Sequence, residues 1–359
     1  MSSTRAALTA LAAHHGFDIR FAAVGPTPRM ESYEAWLADG LHGDLAWMER
    51  GREVRGDPRR RLPDAKTAMV LALNHHWRAP PDPGGRTGRV ARYAWGRDYH
   101  NLIGKRLKKL RRALREQGIA SWGGVDTAPI LERAWAAAAG LGFSGKNTMQ
   151  IRVGSTSWFF LAVVFIDVSV TPDRAVESDH CGTCRRCLDI CPTHAFVAPY
   201  RLDASRCISY WTIESRALPP RELRAGFSRW VFGCDLCQEV CPHNHRPPDE
   251  AHHDFLPRHA WLDLDDLLDS SDDALMERFR GTPLRRPGAA GLKRNAALVL
   301  GNLGDDAAVD VLRRSGISHA DPVVRGASVW ALQRLGAEPP VRDHSPIVQA
   351  EIDACSETR

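Results

Sequence analysis

The sequence lacks an apolar run long enough to cross a membrane. A spanning helix needs about 20 predominantly apolar residues, whereas the longest apolar stretch, Trp158 to Val170, contains Asp167 and is followed by Thr171 and Pro172. The first eleven residues also lack the apolar core of a signal peptide. We therefore expect a buried strand at 158–170 and a cytoplasmic protein with no membrane partner.

A large excess of one charge is also missing. Lys and Arg together number 48 and Asp and Glu 43, which gives a net charge of +5 at pH 7. The basic residues are concentrated in two stretches, Arg50 to Arg61 and Lys105 to Arg115. Such stretches are usually solvated helix faces or loops, but a polyanionic partner such as RNA would use the same residues.

Two cofactor signatures are absent although partial matches occur. Gly140 to Gly145 has the spacing G-x-G-x-x-G, but it follows a helix-like stretch where a dinucleotide loop would follow a strand. Asp98 and His100 begin a D-x-H-x-x-G corrin signature, yet Gly104 comes one residue too late. We therefore expect a structural or polar-contact role for His100 and no protein histidine on cobalt.

The sequence is rich in closely spaced cysteines. A run of the form C-x2-C-x2-C-x3-C-P ends at Pro192, and a second run ends at Pro242. This spacing is typical of bacterial ferredoxins, in which the fourth cysteine of a run binds the other 4Fe–4S cluster. One predicted ligand set is Cys181, Cys184, Cys187 and Cys241, and the other is Cys191, Cys207, Cys234 and Cys237.

Other uses of these cysteines are less consistent with the pattern. Four disulfides would require an oxidising compartment, and no signal peptide opens the chain. Two zinc sites are the stronger alternative, but zinc ligands usually come in separated pairs and not in one run of four. The ninth cysteine, Cys355, lies outside both sets.

The 359 residues are enough for two or three domains. We predict a multidomain α+β protein with an N-terminal α/β domain at 1–171, a ferredoxin-like two-cluster domain at 172–246 and a C-terminal helical domain at 258–340. Pro247 to Pro257 has the composition of a linker, and Pro80 to Gly88 that of a loop. The predicted N-terminal elements are helices at Thr4–His15, Ile103–Gln117 and Leu131–Gly140, and strands at Ala68–Asn74 and Phe159–Val168.

The C-terminal segment contains a repeated pattern. Ala296 to Gly304 and Ser328 to Gly336 share the spacing A/S-x-x-A/V-L-x-x-L-G, which is typical of HEAT-like paired helices. A plain helical cap is the alternative, because two repeats are few for a solenoid. The repeat interpretation predicts a surface that faces an anionic ligand and is formed by Arg285, Arg286, Lys293, Arg294 and Arg325.

Iron–sulfur clusters carry electrons but do not by themselves transform a substrate. More than 170 residues precede the first cysteine, which is far more than an electron carrier needs. We therefore expect the N-terminal domain to hold a second cofactor or a substrate.

Several segments, taken in order, resemble the epoxyqueuosine reductase family of tRNA modification. The matching segments are YAWGRDYH at 93–100, VDTAP at 125–129, GLGFSGKNT at 140–148, the first cysteine run, RCISY at 206–210, GCDLCQ at 233–238 and the C-terminal repeats. His243 is a small departure, because the family more often has Trp after the proline of the second run. No predicted ligand is affected.

The resemblance implies a reaction and a second cofactor. Epoxyqueuosine at the wobble position of tRNA would be reduced to queuosine by cobalamin, which two 4Fe–4S clusters would supply with electrons. Asp126 matches the family's proton donor, and a proton donor at neutral pH needs a raised pKa; a helix N-cap is the alternative role. The resemblance places cobalamin contacts or pocket lining at Arg55, Ala91, Asp126, Lys146, Ser209 and Asp235.

The expected partners are tRNA, bound through the anticodon region, and an external electron donor, and the expected state is a monomer. Two other functions stay open at this point. One is a different corrinoid iron–sulfur reductase, such as a dehalogenase relative, and the other is a ferredoxin-type carrier or zinc scaffold.

Overall fold

The computed structural model describes residues 2–176, 179–245 and 251–356. Within these ranges the chain forms eleven strands and fifteen α-helices. The strands are β1 Asp18–Ala23, β2 Thr67–Asn74, β3 Thr87–Val90, β4 Ser121–Gly124, β5 Phe143–Ser144, β6 Gln150–Ile151, β7 Phe159–Ile166, β8 Phe196–Ala198, β9 Arg201–Leu202, β10 Trp230–Phe232 and β11 Trp261–Asp263.

The helices are concentrated at the N-terminus and in the C-terminal third. They are α1 Ser2–His14, α2 Met30–Ala38, α3 Ala46–Glu49, α4 Arg52–Gly56, α5 Tyr99–Glu116, α6 Glu132–Ala138, α7 Arg186–Asp189, α8 Arg221–Arg224, α9 Leu236–Glu239, α10 Leu264–Asp269, α11 Asp272–Arg278, α12 Gly288–Leu303, α13 Ala308–Val311, α14 Pro322–Arg334 and α15 Pro346–Ser356. In the described part of the chain, no helix combines the length and apolar character that membrane crossing requires.

A four-stranded sheet with the order β1-β2-β7-β4 forms the centre of the N-terminal region. Its central strands β2 and β7 alternate side chains between two apolar layers, as strand geometry requires. Met69 and Leu71 face the layer that contains α1 and α5, whereas Val70 and Ala72 face the layer that contains α6. The sheet is therefore covered on both faces.

The helices and strands predicted for residues 1–171 are all present, with shifts of up to four residues at their ends. The strand direction differs from the α/β expectation, because every pair in the four-stranded sheet is antiparallel. Parallel α/β sheets need a helical crossover between neighbouring strands, whereas β1 and β2 pair directly in opposite directions. The N-terminal region is thus an α+β arrangement.

A second sheet joins three parts of the chain that are far apart in sequence. β3 lies in the middle, pairs in parallel with β10 and pairs antiparallel with β11. Gly88 of β3 is closely covered, since a Cβ there would lie 2.7 Å from Val231 and 2.9 Å from Leu264. The loop prediction for Pro80 to Gly88 therefore misses the start of a strand, Thr87–Val90.

The segment predicted as a linker contributes to packing where the structure describes it. Residues 246–250 lie outside the described part of the chain. His253–Phe255 forms a 3₁₀ turn, and Phe255 is only 2% exposed within the apolar layer beside α5. A Cβ at Gly96 would lie 2.4 Å from the Asp254 carbonyl oxygen, so this turn packs closely against the chain before α5.

The C-terminal repeats fall on two helices that pack together, α12 and α14. Gly301 allows their close approach, because a Cβ at this position would lie 2.9 Å from the Ala331 Cα. The repeated glycines at 304 and 336 both have left-handed φ angles, +69° and +68°, at the ends of these helices, as glycine commonly does after a helix. Assignment to the HEAT class remains a prediction.

Three of the five basic residues predicted to face an anion are buried, so that part of the prediction is wrong. Lys293 is 4% exposed and its Nζ lies 2.9 Å from an Asp272 carboxylate oxygen. Arg325 is 8% exposed and pairs with Asp343. Spacing alone could not show that α12 is buried on nearly all sides.

Arg294 is completely buried and connects α12 to the cysteine-bearing segment. Its guanidinium donates to the carbonyl oxygens of Ser215 at 2.9 Å, Ala217 at 2.7 Å and Trp211. Burial lowers the pKa of Arg294 to about 10. The neighbouring Asn295 donates to the carbonyl oxygen of Thr212 at 2.8 Å. The bonds to Ser215, Trp211 and Thr212 are buried, so they satisfy backbone acceptors that would otherwise lack partners.

Arg294→Met should therefore destabilise the fold. A buried acceptor left without its donor costs about 1–3 kcal/mol, and several lose theirs, so we expect the melting temperature to fall by about 4 °C or more. The exposed neighbour Arg285 provides the control, and Arg285→Met should melt like the unaltered protein. Equal melting temperatures for both variants, measured by circular dichroism, would contradict this role of Arg294.

Candidate active site and cysteine centre

The eight cysteines of the two predicted sets are free thiols in the structure. Short helices carry the centres of both runs, α7 in the first and α9 in the second. In Cys355 only the backbone is described, as part of α15. No disulfide occurs among the eight, so the disulfide alternative finds no support in the described residues.

The first predicted set is brought together by the fold. Burial, together with the neighbouring thiols of Cys181, Cys241 and Cys184, raises the pKa of Cys187 to about 11. Cys241 comes from the second run, about sixty residues later in the chain. A set of three adjacent cysteines and one distant cysteine is the arrangement that the ferredoxin pattern predicts.

The second predicted set is also brought together. Burial raises the pKa of Cys237 well above its usual value, and the thiols of Cys207 and Cys191 contribute. Burial also raises the pKa of Cys234 well above its usual value, and the neighbouring thiols of Cys237 and Cys207 contribute. Cys187 of the first set also acts on Cys237, so the two sets adjoin each other.

The surroundings of the two sets differ. Gly182, Thr183 and Arg185 in the first run are exposed, whereas Cys207 and Cys234 of the second set pack against the largest apolar core. Backbone N–H groups approach one sulfur of each set: Lys146 N lies 3.4 Å from Cys181 Sγ, and Ala195 N lies 3.4 Å from Cys191 Sγ. Hydrogen bonds of this type tune the reduction potential of a bound cluster.

Lys146, for which a cobalamin contact remains a prediction, lies at the first cysteine run. Its ammonium donates to the carbonyl oxygens of Gly182 at 2.5 Å and Cys184 at 3.1 Å. Asn147 similarly donates to the Cys237 carbonyl oxygen at 3.1 Å. These contacts fix the cysteine loops against the N-terminal region.

Asp235, Ala91 and Ser209 lie beside the second cysteine set. Asp235 is 3% exposed and its carboxylate accepts the Arg92 backbone N–H at 2.7 Å; burial raises the pKa of Asp235 to about 7. Ala91 is packed so closely that a Cβ at Gly233 would lie 2.5 Å from its methyl group. A hydrogen bond from the Ser209 side chain acts to lower the pKa of the Cys207 thiol.

Buried guanidinium groups on two sides of this region have unused donors. The Nε atoms of Arg55 and Arg92 are both buried and have no hydrogen-bond partner among the described residues. Arg55 lies near the loop that carries Asp126, because a Cβ at Gly51 would be 3.0 Å from Pro129 and 3.5 Å from Arg55 Nη1. Buried donors of this kind need acceptors, and a large cofactor with its own polar groups would supply them.

Asp126 lies at the tip of the loop between β4 and α6 and does not cap a helix. α6 begins at Glu132, with Leu131 at the cap position. Asp126 has a left-handed φ of +55°, which asparagine and aspartate tolerate better than other non-glycine residues. Its backbone N–H donates to Glu132 Oε1 at 2.9 Å, so Glu132 supports this conformation.

The Asp126 carboxylate is held by two side chains from the start of α5. Tyr99 donates its hydroxyl to Asp126 Oδ2 at 3.0 Å, and His100 Nε2 lies 2.8 Å from the same oxygen. Burial raises the pKa of Asp126, but the hydrogen bonds from His100 and Tyr99 outweigh it and the pKa is lowered overall. The raised pKa expected from the sequence is therefore not found in this conformation.

His100 uses both of its ring nitrogens in polar contacts. Nδ1 lies 2.8 Å from Asp98 Oδ1, and Nε2 contacts Asp126. This arrangement agrees with the polar-contact role predicted from the sequence.

Tyr93 lies between the Asp126 loop and the second cysteine set. Burial raises its pKa, and the carboxylates of Glu214, Asp126 and Asp235 add to this shift. Its ring lies 6.0 Å from that of Tyr99 and 6.1 Å from that of Phe232, the residue just before Gly233 and Cys234. The candidate proton donor and the second cysteine set thus belong to one region.

Sequence reasoning did not single out Tyr93, Tyr99 or Glu132. Burial raises the pKa of Glu132 to about 7, so within this loop and its flanking helix the carboxyl group with a raised pKa is Glu132 and not Asp126. The sequence feature that could have indicated this contact is a glutamate directly after the Asp126 loop. Its bond to a backbone N–H six residues earlier, however, depends on the left-handed turn.

Two family models match the chain in the regions just described. Residues 180–244 match a family described as a 4Fe-4S double cluster binding domain. Residues 55–127 match a family described as epoxyqueuosine reductase QueG, DUF1730.

Curated relatives extend the match over most of the chain. An epoxyqueuosine reductase of Pseudomonas aeruginosa is 40% identical over 316 residues, which cover 84% of this chain and 86% of the relative. Another, from Cellulophaga algicola, is 40% identical over 75% of this chain and 87% of the relative. The chain belongs to the epoxyqueuosine reductase family. It is thus an oxidoreductase, as the sequence resemblance predicted.

Solved structures of this family have the same fold. An epoxyqueuosine reductase in complex with an epoxyqueuosine-modified tRNA-Tyr stem loop is 29% identical, with a TM-score of 0.91 over 99% of this chain and 98% of that chain. The enzyme from Streptococcus thermophilus is 26% identical, with a TM-score of 0.88 over 99% and 98% of the two chains. A Bacillus subtilis structure, 28% identical with a TM-score of 0.89 over 99% of both chains, has its catalytic aspartate loop swung out of the active site.

Proposed function

We propose that this protein reduces epoxyqueuosine to queuosine at the wobble position of tRNA, with Asp126 as the immediate proton donor. The observation that carries the proposal is the position of Tyr93, whose ring packs beside Tyr99, a hydrogen-bond donor to Asp126, and beside Phe232, which precedes the second cysteine segment. Loss of the epoxide oxygen as water consumes two electrons and two protons. The cysteine segment is suited to deliver the electrons and Asp126 the protons.

The two cysteine sets fit two 4Fe–4S clusters. Each set contains four thiols, and the first run has exposed residues, among them Gly182, Thr183 and Arg185, where an external electron donor could approach. The second set adjoins Asp235 and Ala91. Electrons would therefore enter at the first set and leave from the second. The distance between the sets is short, because the Cys187 thiol is close enough to Cys237 to influence its pKa.

Cobalamin is the second cofactor that we propose. When bound, it supplies a strongly reducing cobalt centre that can attack a strained C–O bond. Ala91, Ser209 and Asp235 would line its pocket beside the second cysteine set, and the unused donors of Arg55 and Arg92 would bind its polar groups. Lys146 is better explained as a support of the first cysteine run, because its ammonium already donates to two carbonyl oxygens there.

The RNA is proposed to approach over a rim formed by Arg286, Trp47 and Glu214. Arg286 is 53% exposed at its side chain, pairs with Glu214 at 2.9 Å and lies 5.4 Å from the centre of the Trp47 ring. Its charge lowers the pKa of Asp126, so the rim borders the site. Arginine binds phosphate, and an aromatic ring can stack with an unpaired base.

Conversion of the modified nucleoside is the direct test of the proposed function. Protein reconstituted with iron, sulfide and cobalamin should convert epoxyqueuosine in a tRNA anticodon stem loop to queuosine under a strong reductant. Asp126→Asn keeps the size of the side chain but removes the acid, so turnover should fall by about 10²–10⁴-fold. Absence of conversion by the fully loaded protein, or full activity of the variant, would contradict the proposal.

Double variants test how the cysteines are divided between two clusters. Cys187 and Cys241 belong to one predicted set, so Cys187→Ser with Cys241→Ser should leave about four of about eight irons per chain. If the cysteines were divided in sequence order, the same double variant would damage both clusters and leave almost none. Cys191→Ser with Cys241→Ser should lose nearly all iron in either case, and Cys355→Ser should lose none.

Charge reversal tests the RNA rim. Arg286→Glu should weaken stem-loop binding and reduce the salt dependence of the binding constant by about one unit of slope. Arg112→Glu is the comparison, because Arg112 lies on the basic helix α5 about 18 Å along its axis from His100. Weaker binding of the Arg112 variant alone, measured by fluorescence anisotropy, would move the RNA surface to α5.

A further inference from the structure

Asp126 has an immediate source of protons in the structure. His100 Nε2 lies 2.8 Å from Asp126 Oδ2 on one side, while His100 Nδ1 lies 2.8 Å from Asp98 Oδ1 on the other. The imidazole is therefore placed between two carboxylates. An imidazole in this position can pass a proton from one nitrogen while the other stays hydrogen bonded.

The local backbone fixes the direction of the imidazole. Asp98 is the N-cap of α5 and accepts the His100 backbone N–H at 2.9 Å with the same oxygen that faces Nδ1. The ring of Tyr99 stacks on the ring of His100 at 4.0 Å and on Phe160 at 4.3 Å. These contacts fix the His100 ring with Nε2 towards Asp126.

The charges around His100 favour its protonated form. Burial alone would lower the pKa of His100, but Asp126 and Asp98 outweigh burial and raise it to about 9. The imidazolium is therefore present at neutral pH and is lost as the pH rises through about 9. The other titratable or charged groups that face Asp126 are Tyr99 on α5, Tyr93 in the turn before it, Glu132 and Arg133 of α6, and Arg286 of the rim.

We propose that His100 is the positioning and proton-supplying residue of the site, which transfers the Nε2 proton to Asp126 each time Asp126 protonates the departing oxygen. This inference rests on the proposed reduction of epoxyqueuosine. The two electrons supplied by the reductant break both C–O bonds of the epoxide and form the C=C bond. For each bond broken, the proton on His100 Nε2 moves to Asp126 Oδ2 and Asp126 passes it to the departing oxygen, which leaves as water after two such transfers. Neutral His100 then takes a proton from water.

The exposure of His100 suits this cycle. Its side chain is 32% exposed, so water can reach the ring and return the proton. An alkoxide is far more basic than either a carboxylate or an imidazole, so transfer towards the substrate is favourable. The relay also explains how Asp126 can act as an acid although its own pKa is lowered in this conformation.

His100→Gln separates proton transfer from positioning, because glutamine can donate a hydrogen bond to Asp126 but cannot give up a proton. In single-turnover reactions of the reduced holoenzyme with the modified stem loop, wild type should keep its rate up to about pH 9. The variant should be about 10–100-fold slower at pH 7.5. It should also lose activity at lower pH than wild type, with unchanged RNA affinity. His14→Gln, an exposed residue of α1, should behave as wild type.

Asp98→Asn supplies a second variant. Loss of one carboxylate should lower the pKa of His100, so the rate should match wild type near pH 6 and fall earlier as the pH rises. In the holoprotein with isotope-labelled histidine, NMR should give His100 a pKa near 9, shifted towards its usual 6.5 in Asp98→Asn.

Four results distinguish the possibilities. Either a wild-type rate in His100→Gln, or a slower rate with an unchanged pH profile, would overturn the relay and leave His100 as a support only. A pKa of His100 near 6.5 in the wild-type protein would do the same. Failure of the wild-type protein to convert the substrate would instead contradict the proposed function, and the NMR pKa would still report on the His100 environment.

Discussion

β3 and β10 pair in parallel, and the positions of Ala91, Asp235 and the second cysteine run relative to α5 depend on this pairing. Beyond its C-terminal end, β3 continues through Ala91 and the turn Arg92–Ala94 to the start of α5. β10 continues through Gly233 to Cys234 and Asp235. Because the two strands run in the same direction, their C-terminal extensions meet at one edge of the sheet. The bond from the Arg92 N–H to Asp235 closes this edge at 2.7 Å.

The close contacts at this edge leave little freedom. Gly233 has a φ of +67°, and a Cβ there would lie 2.5 Å from that of Ala91. Any larger side chain would separate the strand ends. Burial of Asp235 follows from the same closeness, and its cost is reduced because the carboxylate accepts a backbone N–H. The second cysteine set is thereby fixed relative to Tyr93 and, through α5, to His100.

The sequence was sufficient for features that local chemistry determines. Cysteine spacing indicated the two sets, and the periodicity of apolar residues indicated the strands at Ala68–Asn74 and Phe159–Val168. The ordered motifs were enough to predict the family. In each case the signal lies within a short stretch, or within residues whose chemical type admits few alternatives.

The features that were missed depend on contacts between distant segments. The repeat pattern around Arg294 is that of an exposed helix residue. Its guanidinium nevertheless donates to carbonyl oxygens of the cysteine-bearing segment, about eighty positions earlier in the chain. β3 was hidden in a stretch rich in Pro and Gly, because its two partners come from far along the chain. The lowered pKa of Asp126 depends on Tyr99 and His100, whose motif gave no indication that it would meet the Asp126 loop.

The electrostatic design of the site follows from placing one imidazole between two carboxylates. The charge of Asp126 acts to raise the pKa of Asp98, as like charges do. The hydrogen bonds and charge of His100 outweigh this repulsion and hold the pKa of both carboxylates below its usual value. A proton is thereby stored on the imidazole, beside the carboxylate that must deliver it, while Asp126 itself stays ionised and held by Tyr99. The lowered pKa of Asp126 and the raised pKa of His100 are thus two consequences of one contact, and the sharing of a proton between them makes Asp126 suitable as a donor.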